Sequence, residues 1–127
     1  MGVICFGETV EVSDVKSLCL SFTDATVAER GEPSNVLTYK VRARNFAYFK
    51  TSEPERWRFS VRVSPERFLE LTDQPGVKAA RYMHRFHWIT IVNVREFHPE
   101  YLTELVGWSY RKAYSTLSKK AQRELNI

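Results

Sequence analysis

The stretch that decides the fold reads Val36-Leu37-Thr38-Tyr39-Lys40-Val41-Arg42-Ala43-Arg44-Asn45-Phe46-Ala47-Tyr48-Phe49-Lys50. Leu37, Tyr39 and Val41 alternate with Thr38, Lys40 and Arg42, which is the two-residue period of a strand with one dry and one wet face. Arg42 to Asn45 reads as a hairpin turn, and Phe46 to Lys50 as the returning strand. Thr51 to Glu55, broken by Pro54, is a loop. The alternation then resumes, with Trp57, Phe59, Val61 and Val63 on one side and Arg58, Ser60 and Arg62 on the other. Three such strands share an apolar parity that another layer has to cover.

Helical patterns on both sides of this meander supply that layer. Ser13 is placed to cap a helix running to about Phe22, with Val15, Leu18, Cys19 and Phe22 at helical spacing. Gly31 to Asn35 is a loop by composition. Ser64-Pro65-Glu66 opens a second helix carrying Phe68, Leu69 and Leu71, which stops before Gln74-Pro75-Gly76. Residues 80–85 and His87 to Val92 read as two further strands, the second strongly by its aromatic and β-branched content. Pro99 opens a long helix to about Leu117, with Leu102, Leu105, Val106, Ser109, Ala113 and Leu117 as its inner stripe. The order is α-β-β-β-α-β-β-α. It predicts an α+β, two-layer fold, with a twisted antiparallel sheet of about five strands and helices packed on it.

Composition narrows the class. The 127 residues are 43% hydrophobic and 27% charged, too apolar for a disordered chain. No stretch approaches the roughly 20 apolar residues that cross a bilayer. Two cysteines, Cys5 and Cys19, do not make a disulfide scaffold. Met1 to Phe6 lacks the basic and long apolar regions of a signal peptide, and Phe6 stands where a myristoylation signal wants Ser or Thr. The expectation is one cytoplasmic domain over residues 1–127, its first 12 residues a loosely ordered tail, with reduced thiols and no membrane partner.

Charge is unevenly spread. Residues 1–35 hold two basic and six acidic residues, whereas the remainder holds 17 basic and nine acidic. Seven of the basic residues fall within 40–62, opposed only by Glu53 and Glu55. Arginine predominates, and its planar fork suits phosphate and stacks on rings. Lys40, Arg42, Arg58 and Arg62 fall on the wet parity of two strands, so neighbouring strands would join them into a cationic surface that Arg44 in the turn and Arg56 in the loop extend. The competing structural reading is a solvated face whose arginines pair with Glu53, Glu55 and Asp73.

Other constellations are thin. His84 and His87 have the spacing of a metal pair, but on a strand they face opposite ways, and a zinc site wants three or four ligands. No phosphate-binding glycine loop is present, the five glycines being scattered. No metal, cofactor or catalytic set is expected, and the chain reads as a non-enzymatic binder. His87 and Trp88 are candidates to line a pocket or offer a stacking surface. Trp108, Tyr110 and Tyr114 on the last helix are candidates for a ligand wall or a dimer surface, against the alternative of a wide core stripe.

The pieces Thr38-Tyr39-Lys40-Val41 and Phe46-Ala47-Tyr48-Phe49 resemble the first hairpin of the MmcQ/YjbR family. Arg58 to Val63 followed by Ser64-Pro65-Glu66 and Gln74-Pro75-Gly76-Val77 is similar to the same family. So are His87-Trp88, Ser109-Tyr110 and the tail Leu117-Ser118-Lys119-Lys120. The resemblance covers roughly residues 14–125. It implies a fold like that of type III secretion chaperones and of double-wing DNA-binding domains, and members are commonly labelled DNA-binding. One member name comes from an antibiotic biosynthetic cluster, which adds small-molecule binding or self-protection. The family's hairpin turn often carries glycine. Here Ala43 resists positive φ, which assigns that conformation to Asn45.

Three readings follow. In the first, nucleic acid binds through Lys40, Arg42, Arg44, Arg58, Arg62 and Arg85. In the second, a small aromatic ligand sits between the sheet and the last helix, against His87, Trp88, Trp108 and Tyr110. In the third, the domain is a chaperone-like protein partner, monomeric or homodimeric.

Overall fold

The computed structural model describes residues 10–81 and 86–125. In chain order these form α1 (Val12–Leu20), β1 (Ala25–Arg30), β2 (Val36–Val41), β3 (Arg44–Lys50) and β4 (Phe59–Arg62). They continue with α2 (Pro65–Thr72), β5 (Val77–Ala79), β6 (Trp88–Ile91), a 3-10 turn at Val94–Glu96, α3 (Pro99–Ser115) and α4 (Lys119–Leu125). The strands make one antiparallel sheet in the order β1-β2-β3-β4-β6-β5. The α+β class and the helix-on-sheet arrangement are as the sequence predicts. The sheet has one strand more than the pattern suggests, and a fourth helix follows α3.

The additional strand, β1, is an edge strand. Its last five residues are exposed, so no dry parity betrayed it. The additional helix, α4, is short, and Leu125 is its one buried residue. The Ser118 hydroxyl accepts from the Ala121 N–H at its start, and the Tyr114 hydroxyl donates to the Gln122 carbonyl at 3.1 Å. At the other end, α1 is capped by Glu11 rather than Ser13, with the Asp14 carboxylate accepting from the Glu11 N–H at 2.8 Å. The strand expected over 80–85 falls mostly outside the described residues, and β5 lies just before it.

The core fills one side of the sheet. Tyr39 and Val41, Ala47 and Phe49, Phe59 and Val61, and Ile89 and Ile91 are all buried there. They meet Val15, Leu18 and Cys19 of α1, Leu71 of α2, and Leu102, Leu105 and Val106 of α3. The α2 start is as read: the Ser64 hydroxyl accepts from the Arg67 N–H, with Pro65 at the first helical position. Leu69, however, points to solvent at 72% exposure.

A β-bulge adapts β3 to α3. The register against β2 slips between Tyr39 and Lys40, so that Tyr39 pairs with Ala47 and Lys40 with Asn45, leaving Phe46 as the inserted residue. The bulge turns both Phe46 and Ala47 into the core, where neither is exposed. It also interrupts the ladder to β4, and a helix side chain bridges the break. The Ser109 hydroxyl donates to the Phe46 carbonyl at 2.6 Å and accepts from the Arg62 N–H at 3.1 Å.

The hairpin turn is shorter than predicted. Only Arg42 and Ala43 lie between β2 and β3. The positive φ expected at Asn45 belongs instead to Arg42, at 56°, because a two-residue hairpin needs that twist at its first central position. Asn45 already lies in the strand.

Candidate functional site

Helices cover one side of the sheet; among the described residues the other side is left open, and register defines what it presents. Ala28, Thr38, Tyr48, Ser60, Thr90 and Lys78 are successive partners across all six strands. This row is polar at nearly every step. Ser60 and Thr90 share a 2.8 Å hydrogen bond between their hydroxyls. Tyr48 stacks on Trp88 with ring centroids 5.7 Å apart and planes 28° from parallel. Trp88 is only 4% exposed, so the indole is floor rather than surface.

A flanking row runs Arg30, Val36 and Lys50, with Arg58 beside it, the Arg58 carbonyl accepting from the Lys50 N–H at 3.0 Å. The opposite flank carries Lys40. Together these residues wall a groove of about 890 Å³, whose charged lining among the described residues is Arg30, Lys40, Lys50, Arg58, Lys78 and Arg81 against one carboxylate, Glu55. The Lys50 ammonium also donates to the Ser34 carbonyl at 2.8 Å, tying the β1–β2 loop to the rim. Glu55 lies 3.6 Å from both Arg58 and Arg81. Two neighbouring strands of the floor, β4 and β6, are entered through Trp57 and His87, both at positive φ (67° and 65°).

The sequence-chosen cations divide sharply. Lys40 and Arg58 line the groove. Arg42 does not: from the turn its guanidinium pairs with Asp24 at 3.1 Å and Glu124 at 3.5 Å. Arg44 pairs in register with buried Val41, which gives it the parity of the helix-covered side at the exposed hairpin end. Arg62 has the groove's parity and sits opposite Trp88 at the end of β4, outside the lining. Arg85 and His84 lie outside the described residues. Of the pairings foreseen with Glu53, Glu55 and Asp73, the Glu55 pair forms.

The aromatic candidates are likewise split. Alternation in β6 turns Ile89 and Ile91 to the helices and therefore Trp88 to the groove. Tyr110 belongs to the other side, stacked on Phe22 at 4.7 Å, edge-on to Phe46 at 5.3 Å, and donating to the Thr23 carbonyl at 2.6 Å. Burial raises its phenol above the usual tyrosine range, aided by nearby Asp24. Trp108 is half-buried on α3, and His87 packs its ring edge-on to Phe68 of α2 at 5.5 Å. The space between sheet and α3 is core, so the four do not share a pocket. Cys19 is part of that core, and desolvation pushes its thiol far up. Among the described residues no group of three or more His, Cys, Asp or Glu could hold a metal ion. Nor is any described helix long and apolar enough to cross a membrane.

Arg30, Lys50, Lys78 and Arg81 were not among the sequence-chosen residues. Lys50 was within reach of the pattern, since it is two residues from Tyr48 on the same strand. Arg30 and Lys78 required β1 and β5, whose alternation is too short or too exposed to read.

Comparison with known proteins bears on the fold. A family model described as YjbR matches residues 20–112. A solved Deinococcus radiodurans protein with a domain described as DUF419 is similar at 26% identity and a TM-score of 0.76, covering 91% of this chain and 88% of that one. A Pseudomonas syringae protein shares the fold at a TM-score of 0.64 and 15% identity, covering 82% of this chain and 99% of the other. No curated protein matches.

Proposed function

We propose that this chain, which belongs to the YjbR family, is a binding protein rather than an enzyme and takes nucleic acid across the open face of its sheet. The observation that carries the reading is the lining of the groove, six cations against one carboxylate around a floor of hydroxyls and stacked rings. Phosphates are neutralised by such a rim, and ordered counterions are released, so affinity falls steeply with salt. Contacts to phosphate position a strand without reading its sequence. The hydroxyls of Thr38 and Thr90 offer donors and acceptors to sugars or base edges, and the Tyr48 ring offers an apolar surface beside them.

The test is fluorescence anisotropy of labelled single-stranded and duplex oligonucleotides at about 50 and 200 mM salt. Binding is expected to be salt-sensitive, and Lys40→Glu with Arg58→Glu is expected to abolish it while the far-UV circular dichroism is kept. A folded double variant that still binds sinks the reading. Arg42→Glu is the internal control, because its side chain is committed to Asp24 and Glu124.

One observation favours a second reading, a small planar anion. The groove volume of about 890 Å³ lies within the range of small-molecule sites. A thermal-shift screen of aromatic carboxylates separates the two: stabilisation there, with no oligonucleotide binding, selects the second.

A further inference from the structure

Glu55 is out of place in its surroundings. It is the one acidic residue among the described residues that line the groove, and it comes from the loop between β3 and β4 rather than from a strand of the floor. Its carboxylate oxygen Oε2 stands 3.6 Å from a terminal guanidinium nitrogen of Arg58 and 3.6 Å from one of Arg81. The side chains of Glu55 and Arg58 are 29% and 26% exposed, so both sit within the groove, whereas that of Arg81 is 70% exposed and reaches in from outside. One oxygen shared by two guanidinium groups from separate segments is the arrangement a bridging phosphate oxygen would make.

We infer that Arg58 and Arg81 form a phosphate-binding fork and that Glu55 is the internal anion occupying it in the free protein. The site rests on the reading of the groove as a polyanion surface, and it names where along that surface a phosphate is gripped. A phosphodiester entering the fork displaces the Glu55 carboxylate, and that displacement lowers net affinity. Both ion pairs are solvent-accessible and longer than a close hydrogen-bonded pair, so the competition is weak enough for a ligand to win.

Glu55→Gln keeps the shape and removes the competitor. Single-stranded oligonucleotide is expected to bind Glu55→Gln about 3- to 10-fold more tightly than the parent at about 150 mM salt. Glu53→Gln, in the same loop and outside the groove lining, controls for general charge and is expected to change affinity less than about 2-fold. In an Arg58→Gln/Arg81→Gln background the gain from Glu55→Gln is expected to vanish. Equal gains from the two glutamates, or a gain that survives loss of both arginines, overturns the fork. If no variant binds oligonucleotide, the nucleic-acid reading fails, and inorganic phosphate then judges the fork alone. Saturating shifts of the Arg58 and Arg81 side-chain N–H signals, at lower phosphate concentration in Glu55→Gln than in the parent, support it. Their absence in both proteins overturns it.

Discussion

The two sides of this sheet are built from the same strands and answer to different physics. On β4, Phe59 and Val61 face the helices, while Ser60 between them faces the groove. The helix side is dry and filled, and two polar side chains that enter it bring their partners, Ser109 on the Phe46 carbonyl and Tyr110 on the Thr23 carbonyl. The open side carries hydroxyls, rings and a surplus of positive charge. Hydrophobic burial scales with area and tolerates no unpaired polar group, so the stability of the domain resides on the first side. Six cations around one carboxylate leave a surplus of mutual repulsion, which opposes folding rather than driving it. On the proposed reading, that surplus is what an anionic ligand would neutralise.

Substitutions along β4 and α3 break or sharpen that contrast. Phe59→Ala empties a core position and is expected to cost about 3–5 kcal/mol in urea unfolding. Its neighbour Ser60→Ala loses one hydroxyl pair and is expected to cost about 0.5–1.5 kcal/mol. Similar losses at the two positions would mean that the open side is also a core. Between them stands Ser109→Ala, which strands the Phe46 carbonyl and the Arg62 N–H at the bulge, with an expected cost of about 1–3 kcal/mol. A loss well below that range would show the bulge to be satisfied without the helix.

This contrast also explains what the sequence made legible. Dry parities were readable because burial imposes a period: Leu37/Tyr39/Val41, Phe59/Val61/Val63 and the α3 stripe all lie where the alternation puts them. The bulge at Phe46 broke the period by one residue, and that slip separates Arg44 from the groove while keeping Lys40 on it. Wet parities carry no such constraint. Arg42, Arg44 and Lys50 look alike in sequence, yet one is held by carboxylates, one lies at the hairpin end and one lines the groove. Glu55 could not be singled out, because its significance depends on Arg58 and Arg81 meeting in space. Trp88 and Tyr110 looked like partners until strand alternation put the sheet between them.

Chemical reactivity gives a smaller, reagent-based version of the comparison. The Cys19 side chain is fully buried in α1, and burial raises its thiol far above the usual cysteine range. Its thiolate is therefore scarce wherever the fold is intact. Iodoacetamide at about pH 8, near the ordinary cysteine value, is expected to leave Cys19 unmodified in the native protein and to label it once urea unfolds the chain, as read by peptide mass spectrometry. Native labelling at the unfolded rate would place α1 outside the stable core.

The smallest expected effect is the most discriminating about assembly. Leu69 is the one strongly exposed leucine on α2, at 72%, although its sequence neighbours Phe68 and Leu71 pack inward. As a solvent-facing residue it contributes little apolar burial, and Leu69→Gln is expected to change stability by less than about 0.5 kcal/mol. A larger loss would require Leu69 to be covered by something other than this chain's own core. Gel filtration of the parent and the variant then tells which: a shift from dimer to monomer assigns the cover to a second copy through α2. An unchanged monomer with unchanged stability leaves α2 as plain surface.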